Sequence, residues 1–142
     1  QAEVDGIRVV KAAHDISNGG LAAAVLESAS RFGIGANIDL ARVGFEGQDD
    51  TVRLFSESQA RALVVVPEVA VSMVAAAAEA EGVACSRIGT TGGSMVTFTR
   101  SNESEPADFE ESVAGAADRS VIALDLADLA EASRKVLPEL FA

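Results

Sequence analysis

The chain has 142 residues and is 49% hydrophobic with a mean hydropathy of +0.25; 11 Lys and Arg against 22 Asp and Glu leave a net charge of −11. That length suits one core, the apolar content excludes intrinsic disorder, and the acidity argues against nucleic acid and against an anionic membrane surface. Cys85 and His14 are the sole members of their kinds, so an internal disulfide and a His/Cys metal cage are excluded, and no apolar run approaches a bilayer span.

In chain order, Val9 to His14 is a short β-prone run that ends in the turn formers Asp15-Ile16-Ser17-Asn18-Gly19-Gly20. Leu21, Val25, Leu26, Ala29 and Phe32 then recur at helical spacing until Gly33 and Gly35 break the pattern. Ala36, Ile38 and Leu40 alternate with Asn37 and Asp39, which predicts a strand with one face exposed. Residues 41–51, rich in Gly and Asp, read as a loop.

The continuous run Ala62-Leu63-Val64-Val65-Val66, closed by Pro67, predicts a central strand buried on both faces. Val69, Met73, Val74 and Ala77 mark a helix that Gly82 ends. Val83 to Ile88 and Ser94 to Thr99, separated by Gly89-Thr90-Thr91-Gly92-Gly93, predict a hairpin in which Cys85 is a buried, inert thiol. Residues 101–112 are acidic with no sustained apolar face and read as a solvated loop. Ser120 to Leu124 predicts an edge strand, and Asp125 a cap for a last helix with Leu126, Leu129, Val136 and Leu137 before Pro138. The expected fold is a single α+β domain over 1–142, a central mixed β-sheet with packed helices. The start at Gln1 reads as a piece of something longer.

Two segments carry candidate chemistry. Gly19 and Gly20 let the backbone approach a ligand at a helix N-terminus, where an anion can rest, and Asp15 beside them can hold Mg²⁺; alternatively Ser17 or Asn18 caps the helix and Asp15 favours its positive end. His14, without a second imidazole or thiol, reads as structural. In Leu54-Phe55-Ser56-Glu57-Ser58-Gln59-Ala60-Arg61, Glu57 can orient a sugar hydroxyl, Gln59 read an amide and Arg61 pair with a phosphate, or Glu57 and Arg61 can form a weak surface pair.

Taken together, His14-Asp15-Ile16-Ser17-Asn18-Gly19-Gly20-Leu21 and Leu54 to Arg61 resemble phosphoribosylformylglycinamidine synthase of the small type. The resemblance continues through Gly82-Val83, Ile88-Gly89, Gly92-Gly93 and Leu137-Pro138-Glu139-Leu140-Phe141. It implies a C-terminal-type domain of the aminoimidazole ribonucleotide synthetase-related superfamily, the last of four domains in its subunit. The family function it implies is ATP-dependent amidation of formylglycinamide ribonucleotide in purine biosynthesis, in the cytoplasm. By the same resemblance Asp15 is the Mg²⁺ ligand, and Glu57, Ser58 and Gln59 contact substrate, with Gly19 and Gly20 beside them.

The earlier copy of this domain usually carries Gln where this chain has His14, which implies the non-catalytic half of a pseudo-symmetric pair, with no catalytic residue in this chain. ATP and Mg²⁺ are then cofactors of the whole enzyme, with none expected for these 142 residues alone. The implied partners are the other domains of the synthetase chain, a glutaminase subunit and a small bridging subunit. Two other readings stand beside this one: the substrate-binding catalytic copy of the domain, and a free-standing acidic binding module.

Overall fold

Short strands alternating with helices can share one core only if each turns an apolar face inward, and the first helix shows how this chain does so. The computed structural model describes residues 3–4, 7–44, 46–101 and 120–132. In order, the elements are β1 (Glu3–Val4), β2 (Ile7–Arg8), β3 (Ala12–Asp15), α1 (Gly20–Phe32), β4 (Ala36–Asp39), α2 (Asp50–Phe55), β5 (Ala62–Val65), α3 (Val71–Ala80), β6 (Gly89–Thr91), β7 (Met95–Thr99) and β8 (Ser120–Asp125); residues 126–132 are helical. Leu21, Ala22, Val25 and Ala29 of α1 are buried at helical spacing, and left-handed Gly33 ends the helix with its N–H on the Ala29 carbonyl.

That stripe packs on Ala36 and Ile38 of β4 and on Val96 and Phe98 of β7. These strands belong to a four-stranded mixed sheet, ordered β6-β4-β7-β8, in which β4 and β7 are parallel and the other pairs antiparallel. The α+β architecture with a mixed sheet and packed helices is therefore as expected. The edge strand at Ser120–Asp125 and the Asp125 cap are also found, with Asp125 Oδ1 accepting from Ala127 N–H at 2.7 Å. The expected loop over 102–112 and the helical positions Val136 and Leu137 lie outside the described residues.

Several expectations are corrected. Residues 62–66 do not supply a central strand: among the described residues β5 pairs only with β3, in a two-stranded antiparallel ribbon. Leu63 packs toward the core while Val64 stays 43% exposed, because among the described residues only one face of the ribbon has a partner. Nor do residues 83–99 form a hairpin. Residues 83–88 are irregular, Cys85 is exposed, and β6 and β7 lie on opposite sides of β4.

Gly35 permits that separation. A Cβ there would sit 2.2 Å from the Met95 carbonyl oxygen and 2.7 Å from that of Gly92, so the connection crosses directly over a residue with no side chain. Gly35 N–H donates to Gly93 O at 2.9 Å and Gly92 N–H to Gly35 O at 2.8 Å, which fastens the crossing and carries the chain past β4.

The segment 41–51 is less of a loop than its composition suggests. A 3-10 turn occupies Leu40–Arg42, and α2 begins at Asp50, capped by the Asp49 carboxylate on Thr51 N–H at 2.8 Å. Arg53 of α2 is 3% exposed and donates to the carbonyls of Leu40, Val43 and Gln48, closing the segment onto the helix. Asp39, assigned by alternation to an exposed face, is 6% exposed. Its oxygens accept from Ala41 N–H at 3.0 Å, Ser101 N–H at 3.2 Å, Ser101 Oγ at 2.7 Å and Arg42 Nε at 3.3 Å.

Burial alone would raise the Asp39 pKa, but the Ser101 hydroxyl and N–H, Ala41 N–H and Arg42 together hold it below the usual carboxylate value. A depressed folded-state pKa contributes stability at pH values above the unfolded pKa of about 3.9, and that contribution is lost as the pH falls through the folded value. Unfolding monitored by circular dichroism should show Asp39→Asn to be less stable by roughly 1–3 kcal/mol at neutral pH. The gap to wild type should close progressively below about pH 4.

Candidate functional site

The antiparallel pairing of β3 and β5 sets Asp15 opposite Ala62, so the turn leaving β3 and the loop entering β5 emerge at the same end of the ribbon. Ile16 N–H donating to Arg61 O at 3.0 Å extends the pairing one step into both loops. The two candidate segments, nearly forty residues apart in sequence, thereby become walls of one notch of about 370 Å³. Asp15, Ser17 and Asn18 line it from the β3 side and Glu57, Gln59 and Arg61 from the β5 side, with Ile16 and Ala60 adding apolar surface.

Gly20 brings the segments into register. Its φ is +67°, and a Cβ would lie 2.6 Å from the Leu54 carbonyl oxygen and 2.8 Å from Phe55 Cα, so the first turn of α1 rests directly on the backbone at the end of α2. The helix is capped neither by Ser17 nor by Asn18: its N-cap residue is Gly19, with no side-chain cap of its own, and both polar side chains face the notch instead. Glu57 takes over that role from a distance, its Oε1 accepting from Gly19 N–H at 2.8 Å. α1 has no acidic residue in its first turn, so Glu57 supplies the negative charge that a helix N-terminus favours.

The remaining site residues are placed as follows. Asp15 is on the notch with its side chain 82% exposed. Gln59 lines the notch, whereas Ser58 does not, its hydroxyl lying 2.8 Å from that of Ser56. Gly20 N–H donates to Ser17 O at 3.0 Å. Arg61 forms no ion pair with Glu57; its guanidinium donates to the carbonyls of Ser56 and Ser58. His14 ties β3 to α1 through Glu27 Oε2 at 3.1 Å, with its other ring nitrogen 2.6 Å from the Asp15 carbonyl oxygen. Ala60, with φ +61°, carries no sequence signal for that conformation.

Among the described residues no group of three or more His, Cys, Asp or Glu can hold a metal ion. The oxygen donors Asp15 and Glu57, the latter already engaged by Gly19, suit a hydrated Mg²⁺ that keeps most of its waters, and do not suit an all-protein cage.

Comparison with known proteins gives these positions a context. The family model for the AIR synthase related protein, C-terminal domain, matches residues 2–100. The phosphoribosylformylglycinamidine synthase subunit PurL of Thermobifida fusca is 36% identical over 141 residues, covering 97% of this chain and 15% of that protein. The PurL subunit of Agrobacterium fabrum is 48% identical over 85 residues, 60% of this chain and 10% of that one. The chain thus spans 10–15% of the length of these relatives. Two structures of Thermotoga maritima PurL share the fold, each covering 86% of this chain. The one complexed with ADP has a TM-score of 0.68 at 21% identity over 19% of its length, and the one complexed with FGAR 0.66 at 20% identity over 18%.

Two substitutions should move stability in opposite directions. Gly20→Ala forces a methyl group into the α2 backbone and is expected to cost roughly 3 kcal/mol in denaturant unfolding. Ala60→Gly relieves a left-handed alanine and should be neutral to about 1 kcal/mol stabilising, since glycine's greater unfolded-state freedom offsets part of the gain.

Proposed function

The chain belongs to the family of AIR synthase related C-terminal domains, and from that premise we propose that it serves as one domain of a larger ATP-dependent carbon–nitrogen ligase. The enzyme is a phosphoribosylformylglycinamidine synthase, which amidates formylglycinamide ribonucleotide in purine biosynthesis; the PurL likenesses support this assignment. The notch is an auxiliary polar site rather than the catalytic centre. One observation carries that choice: the N-terminus of α1, the place a substrate phosphate would occupy, already holds the chain's own Glu57 carboxylate.

Exposed apolar side chains support the non-autonomous role. Val64 of β5 and Val69 and Met73 around α3 remain 43%, 69% and 40% exposed, and α3 has no buried residue, surface that suits packing against neighbouring domains. A glutaminase subunit and a small bridging subunit complete the assembly, a reading supported by the likeness to Thermotoga maritima PurLQS. Mg²⁺, when bound, supplies positive charge to phosphate oxygens. Asp15 and Glu57 are the residues that would hold it here, while Gln59 offers an amide and Ser17 and Asn18 polar groups for the ligand's remaining contacts. Asp15 lies at a strand end, so it approaches such an ion without displacing core structure.

The full-length enzyme carrying Asp15→Asn tests the assignment. Ligase activity is expected to stay within about twofold of wild type. Calorimetric Mg²⁺ binding at this site, with or without ATP, should be about millimolar or weaker, and weaker still in the variant. An activity loss of roughly a hundredfold would identify the substrate-binding catalytic copy instead. The isolated 142-residue chain is expected to form no amidine from ATP, substrate and ammonia, because the chemistry requires phosphate-binding apparatus from other domains; amidine formation would overturn the non-autonomous reading.

A further inference from the structure

Ser56 and Ser58 stand immediately before and after Glu57, and both of their carbonyls accept from the same guanidinium. Arg61 Nε donates to Ser58 O at 3.4 Å and a terminal nitrogen of Arg61 donates to Ser56 O. The Arg61 carbonyl is itself fixed by Ile16 N–H at 3.0 Å, so the base of this side chain is anchored to the turn on the opposite wall of the notch. Between them the chain passes through left-handed Ala60, a conformation that persists only where surrounding contacts enforce it.

We propose that Arg61 is a positioning residue. Its planar fork staples the backbone on either side of Glu57, so that the carboxylate reaches Gly19 N–H and Gln59 faces the notch. It is neither half of a surface ion pair with Glu57 nor primarily a phosphate ligand. A guanidinium suits the task because its N–H groups diverge in one rigid plane and can serve two carbonyls at once, whereas an ammonium is a compact point charge on a flexible stem. Only the part concerning Gln59 rests on the reading of the notch as a ligand site; the coupling from Arg61 through Glu57 to Gly19 stands without it.

Residue-resolved hydrogen exchange at the Gly19 amide, in the full chain, tests the coupling. Arg61→Lys keeps the charge and most of the aliphatic stem, so it preserves the fold while removing the fork. It should speed exchange at Gly19 about tenfold, as should Glu57→Ala, while the amides of Val25 and Phe98 keep their protection. The double variant should lose no more than Glu57→Ala alone, since both changes break one chain of contacts. Wild-type protection of Gly19 in Arg61→Lys, additive losses in the double variant, or a loss shared equally by Val25 and Phe98 would each overturn the proposal. Failure of the notch as a ligand site would show differently, as Mg²⁺ binding no weaker in Asp15→Asn than in the wild type with this exchange pattern intact.

Discussion

Gly20 has no side chain where the backbone of Leu54 and Phe55 runs past it, and the candidate site depends on that close approach. Any Cβ there would push α2 off the first turn of α1, and the loop that follows α2 would move with it. Glu57 is two residues beyond Phe55, so its bond to Gly19 N–H exists only because the helix start and the helix end touch. The pairing of β3 with β5 supplies the second constraint, holding the far ends of both loops together at Asp15 and Ala62. A notch with walls from two distant segments is what remains when both constraints hold.

Charge is arranged along the chain in a way the net value of −11 does not reveal. Two arginines, Arg53 and Arg61, donate to backbone carbonyls and shape irregular segments. Arg42, Arg87 and Arg100 meet Asp39, Glu68 and Asp50. At the helix N-terminus a carboxylate from the chain itself occupies the position that an incoming anion would take. Such an arrangement favours a self-satisfied loop over an electrostatic funnel.

The layers divide the work. α1 and the four-stranded sheet bury Leu21, Val25, Ile38, Val96 and Phe98 and form a stable base, while the notch sits on loops at the end of a separate two-stranded ribbon. Binding residues on loops carried by a packed scaffold can change without cost to the core. The same division leaves β5 and α3 with apolar side chains that nothing among the described residues covers.

Much of this was legible in the residues. Helical spacing from Leu21 to Phe32, the glycine stops, the Asp125 cap and the two polar segments depend on local pattern, and local pattern is enough for them because each is decided within a few residues of chain. Even the placement of Asp15 and Glu57 on one notch accords with the tendency of strand ends to collect loops. The misreadings share a different cause. The apolar run at 62–66 has the composition of a central strand, but how many partners a strand acquires is decided by where other strands lie. Gly89 to Thr91 looks like a turn, yet the crossing over Gly35 makes it a strand and sends β7 to the other side of β4. Asp39 alternates like a surface residue, and the two bonds from Ser101, sixty-two residues later, join those from Ala41 and Arg42 in making its burial tolerable. The sequence by itself thus determined the family resemblance, the main helices and the chemical inventory of the notch. The tertiary structure decided strand order, which carboxylate caps α1 and which carbonyls Arg61 holds, because those choices rest on contacts between residues that no local periodicity connects.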